Sequence, residues 1–460
     1  MQLTTAPAVD PMAPVGTCNG TRRKPRSSQT SASSRIDASH LERYCFKADD
    51  EMLADLTSLL SAVRAADRSS VRRHSVEWGR DLAVKVSVRN VSLWRRPEVR
   101  EALVGALGYL TADRWSFKFV THRRVKADPS QIPLVESPYQ ARVFMPFSNG
   151  LDSYAIATEL LAEANPPELV LVNVRPRDRP TAWEKLAVKK DQSLPSVQVA
   201  CYAVDPHRAE LTYRSRPFLF DLLAGYGAAM AQPASVVIPE NGQGSLGGSL
   251  VPLGSEAPHR SCHPGFTSRL SRLLQALTGE PVKFSHPALF RTKGEVLSAL
   301  AEREEGATHW LKRHRSCSYD ARHSSQDGKV MHCGLCGNCL LRRTSLIWAE
   351  VDDTTEYRAV DLTARTLEEA FRGKMPRNFQ ASLDVARNSV RAMQRLAELT
   401  SAPHRLRVES EVVALSRGLD EPIPLVREKM MHFLSQHQRE WKRFLKSCGA
   451  KSWVTDLAGT

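Results

Sequence analysis

The stretch "FMPFSNGLDSYAIATELLAEA", residues 144–164, decides how the chain is read. An apolar run ends at Phe147; Ser148, Asn149 and Gly150 follow, then Leu151, Asp152 and Ser153, then apolar residues at helical spacing. A strand, a tight small-residue turn and a helix in succession can hold a phosphate. The helix aims its partial positive N-terminus and its free N–H groups at the turn. Ser148 and Ser153 supply hydroxyls, and Asn149 and Gly150 tolerate positive φ, so backbone N–H groups can converge. Asp152 suits a phosphate only beside Mg2+. The bland alternative is a helix capped by Asp152 or Ser153. The Walker pattern Gly-x-x-x-x-Gly-Lys-Ser/Thr is absent, so any cradle here is of another type.

Outward from the turn, "RVFMPF" (142–147), "ELVLVNV" (168–174), "SVQVACYAV" (196–204) and "ASVVIPENG" (234–242) read as buried strands. Helices are expected over 153–164 and 217–231. This alternation predicts an α/β fold, a parallel sheet wrapped by helices, whose ligands bind at the carboxyl ends of the strands. The turn at 147–153 and the segment 239–248 both sit there. "PENGQGSLGGSL" (239–250) reads as a long glycine-rich loop, either a connector or a mobile lid.

Upstream, 41–66 reads as a helix, and "DLAVKVSV" alternates, with Leu82, Val84, Val86 and Val88 on one side. A helix opens at Pro97, and "WSFKFV" alternates again. Residues 41–125 are therefore expected to form a small α+β domain, with Trp78, Trp94 and Trp115 in its core. Residues 1–40 read as a disordered tail and 126–140, with three prolines, as a linker. A larger domain over 141–348 follows, then a basic C-terminal region over 349–460 that is helical throughout from residue 360.

Hydrophobic residues make up 42% of the 460, and 64 basic against 50 acidic side chains give a net charge of +14. The excess is spread along the chain and by itself names no partner, although nucleic acid and nucleotide phosphates fit its sign. No apolar run approaches the roughly 20 residues that span a bilayer, so a soluble protein without a membrane partner is expected, and an odd cysteine total with one tight cluster suggests a reducing compartment, by default the cytoplasm. Of nine cysteines, five are scattered and four cluster: Cys317, then Cys333, Cys336 and Cys339 as C-x-x-C-x-x-C. Four thiolates satisfy tetrahedral Zn2+, with Gly334 and Gly337 easing the turns, and a site closed by four cysteines is structural. An iron–sulfur cluster is the alternative occupant.

The turn resembles the pyrophosphate loop Ser-Gly-Gly-x-Asp-Ser of the ATP pyrophosphatases, with Asn149 where the family has Gly. The cysteine arrangement followed by Arg342 and Arg343 resembles that of the 7-cyano-7-deazaguanine synthase family. "HPALFRTKGEVLSAL" (286–300) resembles the family's Lys-x-Glu segment, here Lys293 and Glu295. "YRSRPFLFDLLAGYGAAMA" (213–231) is similar to its Arg-containing helix entry, which puts Arg214 or Arg216 near the site. The likeness spans roughly 141–348 and implies an adenine nucleotide alpha hydrolase-like fold with a zinc knuckle. It also implies ATP, Mg2+ and Zn2+ as cofactors, and adenylation of a deazapurine carboxylate with release of pyrophosphate. On this resemblance Ser148, Asn149, Gly150, Leu151, Asp152 and Ser153 hold the nucleotide, Asp152 and Lys293 are catalytic, and the four cysteines hold the metal.

"RRHSVEWGRDLAVKVSV" (72–88), "LTADRWSFKF" (110–119) and "HRSCHPGFTSRLSRLL" (259–274) resemble longer synthase-like proteins of bacterial anti-phage operons. That likeness implies operon partner proteins and a small-molecule or macromolecular acceptor. Two other readings stand beside it: a zinc-stabilised nucleic-acid-binding component that has lost catalysis, and a tRNA-modifying thiolase needing a reactive cysteine. Cys262 is a candidate nucleophile or a packing thiol; His263 is a structural histidine or a base contact.

Overall fold

The strand segments pair as their apolar runs predict. In a computed structural model, residues 34–45, 50–73, 78–122, 141–148, 150–176, 194, 196–204, 209–254, 256–304, 310–312, 314–319, 324–326, 329–373 and 375–459 are described. Eight of the strands are β1 (Arg35–Asp37), β2 (Asp81–Val88), β3 (Arg114–Thr121), β4 (Arg142–Pro146), β5 (Glu168–Pro176), β6 (Val197–Val204), β7 (Ala234–Val237) and β8 (Phe284–Ser285). A six-stranded sheet runs in the order β1-β6-β5-β4-β7-β8, parallel except at β1, which lies antiparallel on β6 with Ile36 opposite Ala203. Strands buried on both faces need not alternate with polar residues, and β4 and β5 do not, whereas β6, nearer the edge, alternates in burial. Phe144, Val170 and Val172 face one apolar cluster, Met145, Leu169 and Leu171 the other.

The chain runs outward from β4 through β5 to β6, then returns to place β7 on the other side of β4. That reversal opens a crevice between the carboxyl ends of β4 and β7, where doubly wound sheets bind ligands. On one face lie the helices Arg216–Met230 and Pro264–Thr278. The first approaches so closely that a Cβ on Gly227 would stand 2.5 Å from the Phe144 ring. The other face carries Leu151–Leu161 and Lys293–Arg303, clamped by Arg291, whose guanidinium donates to both Glu159 oxygens at 2.8 and 2.9 Å.

The N-terminal strands β2 and β3 form their own parallel pair, crossed over by Val91–Trp94 and Pro97–Thr111. Instead of one helix over 41–66 there are two, Ser39–Tyr44 and Glu51–Ser69, the second capped by Asp50. Trp94 and Trp115 are core residues, and the apolar cluster around them is continuous with the one under the large sheet. Trp78 instead stacks beneath the guanidiniums of Arg72 and Arg214, 4.8 and 4.7 Å from its ring. A buried quartet of Asp67, Arg72, Arg80 and Asp113 sits beside it, and Asp67 Oδ2 accepts from Ser215 N at 2.8 Å. Residues 32–460 cluster as one unit. Of the tail expected over 1–40, residues 35–40 instead supply β1 and the start of helix Ser39–Tyr44, held by pairing with β6; residues 1–33 and the linker 126–140 lie outside the described residues.

Two expectations need correction. Residues Gly242–Leu250 are a helix, not a loop, because Asn241 caps it through Gly244 N at 3.0 Å and the glycines admit close neighbours. The C-terminal region is not helical from residue 360. Residues 351–373 form no helix: Arg358 N donates to His332 O at 2.9 Å and Ala359 N to Cys333 O at 3.2 Å, and the chain then doubles back on itself, with Val360 N donating to Ala370 O at 2.7 Å and Arg372 N to Arg358 O at 3.1 Å. Helices then follow at Phe379–Glu398, Arg405–Leu419, Ile423–Cys448 and Trp453–Ala458. No helix among the described residues is long and apolar enough to cross a membrane.

Candidate functional site

The helix after β4 starts at Leu151, two residues earlier than its periodicity suggests, with Gly150 as N-cap and no capping side chain among the described residues. Neither Asp152 nor Ser153 caps it. Ser148 is exposed at the turn, Leu151 and Ser153 are buried, and Gly150 lies close enough to Ser148 that a Cβ on it would meet Oγ at 3.1 Å. Asn149 lies outside the described residues. With no side chain on its first N–H groups, this N-terminus is open to an anion.

Across the crevice, Asp152 meets two groups from far along the chain. Lys293 Nζ donates to Oδ2, and Asn241 Nδ2 donates to Oδ1 at 2.9 Å. Lys293 is 4% exposed and begins its helix, whose cap Thr292 forms a reciprocal box with Glu295. Its backbone N–H donates to Gln243 Oε1 at 2.9 Å. Glu295, the other member of the Lys-x-Glu pair, is spent on that box and on His432 at 3.0 Å, so it has a structural task.

The sequence reading missed Glu240 and Asn241. Asn241 Nδ2 also donates to Glu240 Oε1 at 3.1 Å, so one amide bridges two carboxyl groups. Burial, then the charge of Asp152, pushes the Glu240 carboxyl up to about 8, against the opposing pull of Lys293. Gly244 makes room for it: a Cβ there would fall 2.1 Å from Glu240 Oε1. Position at the end of a strand beside the switch point was the available signal; residue type alone was not.

Arg214 is committed to Glu256 at 2.9 Å and to the Trp78 face, and Arg216 lies over Phe220 at 5.1 Å. Neither forms a hydrogen bond to Asp152 or Lys293. His263 is structural: its Nδ1 accepts from Gly265 N at 2.9 Å and its Nε2 meets Glu411 at 2.7 Å. Cys262 is no ready nucleophile, because burial, Glu240 and Asp221 all push its thiol up.

The four clustered cysteines come together. Their sulfurs all lie within 4.8 Å of one another, with Cys333 and Cys339 3.8 Å apart. Tetrahedral Zn–S bonds of about 2.3 Å put sulfurs about 3.8 Å apart, so the donor set fits Zn2+. Backbone N–H groups of Leu335 and Cys336 point at Cys333 Sγ at 3.4 and 3.3 Å, the local turn that C-x-x-C spacing favours. Gly334 has φ of 83°, and a Cβ would fall 2.4 Å from Ala359 O. Arg342 and Arg343 serve this region rather than a ligand. Arg342 donates to the carbonyls of Leu311 and His314 at 2.9 Å, and Arg343 to Ala359 O at 2.9 Å. The helix Gly337–Trp348 then packs on Lys293–Arg303, linking metal turn and crevice.

Among proteins of known identity, the chain is similar to the 7-cyano-7-deazaguanine synthase of Brucella canis, at 28% identity over 149 residues, 32% of this chain and 55% of that protein. The synthases of Brucella suis and Brucella ovis match at the same identity and coverage. The chain thus spans about half the length of the curated relatives it matches. No family model matches it. The similarity is to part of a synthase; the chain itself has a mixed α/β fold and a four-cysteine site able to hold zinc.

Proposed function

We propose that the protein is an ATP-dependent, adenylating enzyme that acts on a deazapurine-type carboxylic acid and releases AMP and pyrophosphate. The observation that carries this is the convergence of Asp152, Lys293 and Asn241 at the crevice, beside an uncapped helix N-terminus. On this reading the N–H groups of residues 150–153 with Ser148 and Ser153 hold the leaving pyrophosphate. Lys293 neutralises charge at the α-phosphate once ATP displaces it from Asp152. Mg2+, when bound with ATP, would be held by Asp152 and would neutralise the phosphate charge that develops as the bond breaks. The zinc turn is structural. The likeness to anti-phage proteins extends the proposal to a macromolecular acceptor, protein or nucleic acid, delivered by an operon partner in the cytoplasm.

The test is pyrophosphate release from ATP with and without 7-carboxy-7-deazaguanine and ammonia. Release that depends on the acid, and that falls about 100-fold or more in Asp152→Asn, supports the reading. Tight ATP binding without release under any of these conditions replaces it with a nucleotide-binding component that has lost catalysis.

A further inference from the structure

The edge of the large sheet carries a cavity that the adenylation reading does not use. It has a volume of about 250 Å³ and lies where the helix Pro264–Thr278, strand β8 and the end of the helix Arg405–Leu419 meet. Of the residues that line it, Thr267 and Val282 are buried while Arg272 and Lys283 are exposed, so an uncharged floor lies below a cationic mouth. No acidic side chain among the described residues lines it. The side chains of Arg272 and Lys283 have no hydrogen-bond or ion-pair partner among the described residues. Ser268 stands four residues before Arg272, on the same face of their helix.

His286, the residue after β8, lines the same cavity. The Thr267 hydroxyl gives its proton to Pro264 O at 3.2 Å and meets His286 Nε2 at 2.9 Å, which assigns the imidazole proton to Nε2. Nδ1 is then an acceptor, and it is buried with no hydrogen-bond partner among the described residues. Burial, then the charge of His263, lowers the imidazole to about 3, so the ring is neutral and Nδ1 keeps its lone pair. Gly418 and Leu419 bring the last turn of their helix to the cavity, and carbonyls there have no partner within the helix.

Unpaired cations on one cavity suit an anion, and a buried acceptor without a partner is costly unless a ligand completes it. We propose that this cavity binds a small phosphomonoester that bears hydroxyl groups, of the sugar-phosphate class. Arg272 and Lys283 take the phosphate at the mouth, and a ligand hydroxyl donates to His286 Nδ1 further in. A volume of about 250 Å³ falls below the roughly 300–1,000 Å³ of sites for drug-sized molecules, so a sugar phosphate suits it better than a whole nucleotide. The site is independent of the adenylation reading, whose residues lie elsewhere.

Isothermal titration of the full chain with ribose 5-phosphate, ribose and methyl phosphate tests this. Ribose 5-phosphate should bind once per chain. It should bind tenfold or more tighter than ribose, which lacks the anion, and than methyl phosphate, which lacks the sugar hydroxyls. Arg272→Gln and Lys283→Gln should each weaken it tenfold or more. Both side chains are exposed and unpaired, so neither variant should lose its fold. A phosphate held in the nucleotide crevice would feel neither change, so the two sites are read separately. An oligonucleotide with hydroxyl ends, whose phosphates are all diesters, should not displace ribose 5-phosphate. Displacement would make the mouth a nucleic-acid contact and overturn the proposal. So would failure of ribose 5-phosphate to bind at millimolar concentration, equal binding of methyl phosphate, or full affinity in either variant.

Discussion

The Asp152–Lys293 contact makes a quantitative prediction. The Lys293 side chain is 5% exposed and that of Asp152 17% exposed, so neither charge is well hydrated without the other. Asp152→Ala strands an ammonium group in that recess with no other hydrogen-bonded carboxylate for it among the described residues. Breaking a buried pair from one side costs about 3–5 kcal/mol, because the survivor pays its desolvation uncompensated. Lys293→Met should cost less, at or below the lower end of that range. The carboxylate it leaves is the more exposed partner and still accepts from Asn241. In the double variant neither charge is left alone, so its loss should fall short of the summed single losses by about 2 kcal/mol or more. Urea unfolding of the four proteins measures this directly, read as shifts of the midpoint at constant slope. Losses that add to within about 0.5 kcal/mol would show that the two groups do not share a site in the folded protein.

Three further outcomes can be checked. Cys336→Ser should yield protein without stoichiometric zinc and poorly folded, since closed thiolate sites contribute on the order of 10 kcal/mol of binding free energy to folding; zinc at one per chain with normal melting would refute the site. Asp113→Asn should destabilise by about 3–5 kcal/mol in thermal or urea unfolding, because Asp113 accepts from both Arg72 and Arg80 inside the buried quartet; a change within about 0.5 kcal/mol would mean that the quartet holds nothing together. Glu240 sets a pH dependence whose sign is fixed. Its folded carboxyl keeps its proton up to about 8 while the unfolded chain loses it near 4.5, so raising pH through that window favours unfolding. Glu240→Gln should therefore gain stability over the wild type progressively from pH 5 to pH 8; a gap that stays constant across this range contradicts the assignment.

The parts of the fold that were legible in the sequence are those where local chemistry and tertiary context agree. Strands β4 and β5 are continuous apolar runs because both faces are covered, and the four cysteines carry their geometry in their spacing. Helix Gly242–Leu250 was not legible, because its four glycines argue against a helix at every position but the cap. What overrides propensity there is contact. A Cβ at Gly242 would meet the Phe433 ring at 2.5 Å, and one at Gly248 would meet His259 Cβ at 2.7 Å. The non-helical run over residues 351–373 was missed for the converse reason: its backbone pairs with the cysteine turn and with itself, which no periodicity reports. Asp152 and Lys293 were singled out from sequence resemblance, but their contact spans 141 positions and only topology joins them.

The C-terminal helices matter to the crevice more than their distance in sequence implies. Thr292, the cap of the lysine helix, donates to Glu440 Oε1, and a Cβ on Gly294 would collide with the same carboxyl group. Burial pushes the Glu440 carboxyl up to about 7, against the hydrogen bonds it accepts from Thr292 and Gln436. Gln243, which fixes the Lys293 backbone, passes its amide to His437 Nδ1 at 3.4 Å, and His437 Nε2 meets Met393 O at 3.0 Å. The bond to a carbonyl requires the proton on Nε2, so Nδ1 is the acceptor that Gln243 needs; burial lowers the imidazole to about 4 and keeps it neutral. The helix Ile423–Cys448 therefore orients the start of the lysine helix through two independent contacts, one at Thr292 and one at Gln243. A chain ending after the zinc turn would keep Asp152 and Lys293 but lose both supports that aim one at the other.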